Sequence, residues 1–321
     1  MDTPPEAAVL AALTGQPLSQ VAARHACSVP LLADAVDLYR AAGRAALSAN
    51  DGAERWQQVN VEFSDYGRAR EAFSAYLLPA LRQAYNEGLI ASWWFVRKHP
   101  CWRLRVLPAP ATSSRAVRAR LTANLDAAIA CGAVQQWRVI PYEPETAAFG
   151  GAVGIQLAHD LFHTDSEGAL AFLHTADANP SRQPDAKVTS LLVVTLLLRA
   201  AGQEWSEQGD VWARVEASRP LPAGIPGEQV SSMTPSIHRL LTINTAGLTA
   251  DDELLMPVAA WAAGLEKAGR CLADAHDHGR LTLGLRSILS RHIIFHWNRM
   301  GFTTRQQAIW ARAARATILG E

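Results

Sequence analysis

SWWFVRKHPCWRLRVL, residues 92–107, reads as two strands joined by a tight turn at His99-Pro100. In the second run Trp102, Leu104 and Val106 alternate with Arg103 and Arg105. A period of two places the three apolar side chains on one sheet face and both arginines on the other. Two neighbouring guanidinium groups on one face suit a carboxylate or phosphate held in bidentate fashion. A pair of solvated surface arginines satisfies the same pattern and is the commoner fate of such residues.

Working outward, WQQVNVEF from Trp56 to Phe63 alternates as a strand, with Gln58, Asn60 and Glu62 on one side and Val59, Val61 and Phe63 on the other. Ser64 or Asp65 is placed to cap a helix running to about Asn86 and stopped by Gly88. Ser114 is expected to cap a second helix ending at Cys131-Gly132, and VQQWRVIP from Val134 to Pro141 makes a fourth strand. The order β-α-β-β-α-β is the ferredoxin-like unit, in which the first and third strands are central and both helices cover one face. The open face then carries Gln58, Asn60, Glu62, Arg103, Arg105, Gln136 and Arg138. From Gly150 onward helical periodicity dominates, with pieces expected at 152–163, 166–173, 186–201, 208–218, 227–243, 251–277, 280–299 and 303–319. The expected fold is α+β: a small helical extension over residues 1–50, a ferredoxin-like unit over 51–149, and a helical part over 150–321 packed on the polar sheet face.

Residues 4–47 read as short helices in a helix-turn-helix-like arrangement, with Gly43 as the last stop and Asn50-Asp51-Gly52 as a linker. The helix LLADAVDLYRAAG carries two Asp and one Arg, a poor face for a DNA groove, so a docking or packing module is expected instead.

Composition removes several classes. Lys+Arg and Asp+Glu both number 30, which does not favour nucleic acid as the main ligand. The four cysteines, Cys27, Cys101, Cys131 and Cys271, stand far apart without a CxxC, so neither disulfide framework nor zinc site is expected. The most apolar run, Val188–Leu198, is too short to span a bilayer, and no charged n-region precedes an apolar run at the N-terminus; a cytoplasmic protein is expected. His159 and His163 stand at i and i+4 beside Asp160 and Asp165, but without HExxH this is read as a packing face rather than a metal site. Gly150-Gly151, after YEPETAAF, allows a backbone to approach an anion at a helix start, or makes a plain capped turn. In SRHIIFHWNRMG, residues 290–301, His292, His296 and Arg299 share one helix face, with Asn298 half a turn away. That face offers a base and a carboxylate clamp; hydrogen-bonded histidines in a semi-buried helix are the alternative.

Four pieces in order, WWFVRKHPCWRLRV, YEPETAAFGG with AHDLFHTDS, GQEWSEQGDVW, and a terminal HxxxHxNRxG, resemble the thiopeptide-type bacteriocin biosynthesis domain over residues 56–319. This is the C-terminal, glutamate-eliminating domain of class I lanthipeptide dehydratases, which also occurs alone. The resemblance implies a cofactor-free lyase of ribosomal peptide maturation. Its partners would be a precursor peptide and a separate protein that uses glutamyl-tRNA to esterify Ser or Thr; neither membrane nor DNA is implied. Arg103 and Arg105 would hold the departing glutamate, and His296, with His292 second, would take the Cα proton. Arg97, Arg299 or backbone N–H groups would polarise the peptide carbonyl. Asn60, Glu62 and Asn298 complete the candidate substrate contacts. Where full-length dehydratases tend to carry arginines in the YExE…GG segment, this chain has Pro144, Ala147 and Ala148, with Arg138 as a nearby substitute. A sibling branch of the family performs a formal 4+2 cycloaddition of two dehydroalanines to form a pyridine, and that reaction stays open beside a non-catalytic scaffold that binds leader peptide.

Overall fold

The computed structural model describes residues 4–178, 185–243 and 258–320. The chain divides into two compact units, Met1–Gly52 and Ala53–Glu321. In the first, α1 (Glu6–Leu13), α2 (Leu18–Arg24) and α3 (Val29–Arg55) surround a small core of Ala8, Val9, Val21, Leu32 and Val36. Gly43 does not end α3, contrary to expectation. A helical glycine costs about 1 kcal/mol against alanine, and the RAALSA run beyond it favours helix enough to offset that.

The second unit begins with a four-stranded antiparallel sheet ordered β2-β3-β1-β4. Its strands are β1 (Gln57–Phe63), β2 (Ile90–Lys98), β3 (Cys101–Pro108) and β4 (Val134–Ile140). The first and third strands are central, as the ferredoxin-like order requires. Asp65 accepts from the Gly67 amide to start the chain after β1, and α4 (Ala69–Ala72), a π-helical turn (Phe73–Leu77) and α5 (Leu78–Asn86) follow. The π turn falls where Pro79 withholds the N–H that would bond Ala75. Ser113, one residue before the expected cap, accepts from Ala116 to open α6 (Ser114–Ala130). Val59, Val61, Leu104 and Val106 pack against Leu78, Leu81, Val117 and Leu121 of these helices in one apolar layer.

The helical part consists of α7 (Gly151–Ala178), α8 (Ala186–Ala200), α9 (Trp205–Ser218), α10 (Gly227–Ser231), α11 (Thr234–Leu241), α12 (Ala259–Asp277), α13 (Leu285–Met300) and α14 (Thr304–Leu319). Expected boundaries change in three places. The pieces at 152–163 and 166–173 are one helix, α7, because Asp165 is spent on buried partners and caps nothing. The 227–243 piece splits into α10 and α11, with Pro235 in the first turn of α11. Leu285 rather than Arg280 opens α13, with Gly284 before it. Residues 251–257 of the expected 251–277 helix lie outside the described residues.

Helices α7 and α13 close the outer edge of β2 with side chains. His163 Nδ1 lies 2.8 Å from the Trp93 carbonyl oxygen, the Phe95 amide donates to Ser166 Oγ, and Arg299 Nε donates to the Phe95 carbonyl. Backbone groups that a missing strand would satisfy are thus bonded within the unit.

The Gly150-Gly151 pair serves packing. Both residues have positive φ, 85° and 89°. A Cβ on Gly150 would lie 2.6 Å from the Ile288 Cδ1 methyl, and Gly150 also accepts from the Thr282 amide. The close approach expected of a ligand is made by α13 and the loop before it. Gly150→Ala is expected to cost about 2–3 kcal/mol, combining left-handed strain with overpacking; a chemical-denaturation series measures it, and a cost near zero would show that Ile288 yields freely.

Candidate functional site

The sheet register fixes which polar residues meet. Asn60 pairs with Arg103 on one side and Arg138 on the other, and Gln58 pairs with Arg105. Cross-strand partners share a face, so Arg103, Asn60 and Arg138 form one row and Arg105 with Gln58 the next. Glu62 stands in a third row, accepting from Gln136 Nε2 at 2.7 Å. Gln58 and Asn60 are buried, bonded Nε2 to Oδ1 at 3.2 Å. Arg105 is 7% exposed and donates from Nε to Gln58 Oε1 at 2.9 Å. Its guanidinium lies 4.0 Å from the Trp94 ring centroid and 5.1 Å from that of Tyr142. Burial pulls it down to about 10, still charged at neutral pH, and among the described residues its buried Nη1 has no partner. A buried donor left unpaired costs roughly 1–3 kcal/mol, so this nitrogen is a ready seat for an acceptor. Arg103 is half-buried and Arg138 exposed.

Beside Arg105 stands a second pair that periodicity alone did not assign. Tyr142, just after β4, and His159, on α7, are joined by a 2.7 Å hydrogen bond between the Tyr142 hydroxyl and His159 Nε2. The His159 ring lies 4.7 Å from Trp56 and 6.1 Å from Trp94. Burial, and then the charge of Arg105, hold the imidazole down at about 4, so it is neutral at pH 7. Burial raises the Tyr142 phenol far above its ordinary value.

The three residues of α13 expected on one face do share it, and all are buried. Their partner is Asp165, which has no exposed surface. His296 Nδ1 lies 2.8 Å from Asp165 Oδ1, Arg299 Nη1 donates to Oδ2 at 2.8 Å, and Trp261 Nε1 donates to Oδ1 at 3.0 Å. His296 Nε2 lies 2.8 Å from Ser190 Oγ, which also accepts from Trp297 Nε1. Burial raises the Asp165 carboxyl, but His296 and Arg299 more than offset it and hold it at about 2. Both nitrogens of His296 are therefore engaged inside the protein. The network joins α7, α8, α12 and α13, and Arg299 carries it to β2. Asn298, half a turn away, accepts from Gln307 of α14 at 3.0 Å.

His292 sits 5.0 Å from the Phe149 ring and 5.6 Å from that of Phe162, with both nitrogens buried and without a partner among the described residues. Burial and Arg299 hold it at about 3, against the opposing pull of Asp165. This depressed pKa makes the folded state refuse a proton that the unfolded chain accepts. The His292 contribution is fully present above the unfolded value near 6.5 and is lost as pH falls towards 3. Between pH 6 and 4 stability is expected to fall by up to about 1.4 kcal/mol per pH unit from this residue. Denaturation across that range, in wild type and His292→Phe, should show a shallower slope in the variant.

Arg97 is placed apart. It pairs with Trp102, so it lies on the helix-covered face, opposite Arg103 and Arg105. Its guanidinium stacks 4.5 Å from the Trp102 centroid and reaches the end of α13, where a Cβ on Gly301 would lie 2.4 Å from Nη1. A cation at a helix C-terminus is favourable, and this position separates Arg97 from the arginine rows.

A ferredoxin-like sheet with arginines across one face, closed by helices that bury a charged network, defines an α+β domain. Residues 56–318 match the family described as Lantibiotic biosynthesis dehydratase C-term, and the chain belongs to that family. Membership ties it to the maturation of ribosomally made peptides. The fold is similar to that of the tRNA-dependent lantibiotic dehydratase MibB from Microbispora sp. 107891, at 18% identity and TM-score 0.62, covering 83% of this chain and 28% of that one. It is also similar to TsrL, at 17% identity and TM-score 0.56, covering 81% and 93%. The pyridine synthase TbtD from thiomuracin biosynthesis is similar at 16% identity and TM-score 0.52, covering 83% and 99%. At these identities the likeness is one of fold. No curated protein matches the chain. Among the described residues no helix is long and apolar enough to cross a membrane.

Proposed function

We propose that this protein removes glutamate from glutamylated Ser or Thr of a precursor peptide, leaving dehydroalanine or dehydrobutyrine. The observation that carries the reading is the buried Arg105, whose unpartnered Nη1 lies on the same sheet face as Arg103 and Arg138. A glutamyl ester brings a carboxylate to be held in the ground state and a second that forms as the ester oxygen departs. Preorganised guanidinium donors stabilise that developing charge. A glutamylating partner protein supplies the ester, and the peptide is the substrate. Mass spectrometry of a synthetic peptide carrying one glutamyl-Ser ester tests this directly: loss of glutamic acid from the ester, giving a dehydroalanine mass, is the expected result. An ester that persists unchanged would defeat the proposal.

A second reading, formal 4+2 cycloaddition to a pyridine, is favoured by Pro144, Ala147 and Ala148, which stand where full-length dehydratases tend to carry arginines. Its test is a peptide already holding two dehydroalanines, with a macrocycle and released leader as products.

A further inference from the structure

We propose that His159, held by Tyr142 and set beside Arg105, accepts the substrate proton at this site, and that a ligand carboxylate bound on Arg105 makes it competent to do so. The inference rests on the elimination reading above and names its base.

The histidines of the α13 cluster are poorly placed for this task. His296 has one nitrogen on Asp165 and the other on Ser190, and His292 is enclosed by Phe149 and Phe162. His159 differs in three respects. It is partly exposed, it stands by the arginine rows, and its Nε2 alone is taken. With the proton on Nε2, the Tyr142 oxygen accepts it, and Nδ1, for which no partner is found among the described residues, keeps its lone pair. Trp56 and Trp94 flank the ring and fix its plane.

The charged and titratable groups around it are few. Arg105 faces it from β3, Tyr142 from the segment after β4, and Glu145 on that segment acts on both. Arg103 acts on Arg105, and Asp160 and His163 are its neighbours on α7. The cation on Arg105 opposes formation of an imidazolium at His159. A carboxylate on Arg105 offsets that cation and raises the basicity of the ring. The base is therefore weak in the free protein and stronger once an ester carrying a carboxylate is in place. In the step itself the Cα proton moves to His159 Nδ1, the C–H pair becomes the Cα=Cβ bond, and the Cβ–O bond breaks. Glutamate departs with the Cβ–O pair as a carboxylate facing Arg105, and the imidazolium returns its proton to water.

The test follows the His159 ring by nitrogen NMR during a pH titration, with and without free L-glutamate. The titration midpoint is expected to rise by about one pH unit with glutamate in the wild type and to stay put in Arg105→Gln. No rise, or the same rise in Arg105→Gln, overturns the coupling. With the glutamyl-Ser peptide, His159→Gln is expected to lose about 100-fold or more in kcat with KM changed little; a variant that keeps its turnover overturns the base assignment. If the wild type itself leaves the ester intact, the elimination reading fails, and the NMR arm alone then decides whether a carboxylate on Arg105 controls His159.

Discussion

Asp165→Ala is expected to destabilise the unit Ala53–Glu321 by about 3–5 kcal/mol, because it leaves a buried cation unpaired. Asp165 accepts from His296, Arg299 and Trp261 at once, and all four residues are buried. Arg299 would keep its bond to the Phe95 carbonyl but lose its counter-charge. Asp165→Asn preserves volume and can still accept a bond, yet it also leaves Arg299 uncompensated, so it should fall between wild type and the alanine variant. Urea denaturation measures both; a loss below about 1 kcal/mol for alanine would mean that the network adds little to the fold. The acid limb follows from the same geometry. The folded pKa of Asp165 lies below its unfolded value, so its contribution is present above pH 4 and is lost as pH falls towards about 2.

Arg105→Ala should have the largest effect on turnover, about 10²–10³-fold on a glutamylated peptide, the size seen when one donor to a developing oxyanion is removed. Arg105→Lys should recover little of it. A lysine cannot bond Gln58 and a carboxylate with one planar fork, nor stack as a guanidinium does on Trp94. Arg97→Gln provides the contrast: Arg97 lies on the other face, so its loss should lower stability while leaving KM for the peptide unchanged. Steady-state kinetics on folded variants separates the two outcomes, and equal losses of turnover in Arg97→Gln and Arg105→Ala would remove the sheet face as the reason for either.

The sheet could be read from the chain because period-two alternation states which face each residue joins. Gln58, Asn60, Arg103, Arg105 and Arg138 do share one, in the register set by the pairing. Residues on α13 could be grouped by the same logic at helical spacing. What spacing could not supply was the partner. Asp165 meets His296 across 131 residues of sequence, and Ser190 meets it across 106. The signals were present but faint: a serine and two threonines interrupting the apolar run of α8, and an Asp in the middle of an amphipathic helix. The aromatic surroundings of Arg105 were equally hidden, since Trp94, Tyr142 and His159 come from a strand, a loop and a helix. Gly150-Gly151 left two readings open in the sequence, an anion loop or a plain turn, and the pair admits Ile288.

The closed margin of β2 has a consequence for crowded solutions. Proteins with two bare strand margins can add copy upon copy, each newcomer offering the next a template. Here His163, Ser166 and Arg299 occupy one margin from within the same chain. Strand addition at that margin would first have to displace three side chains that also tie the helices to the sheet.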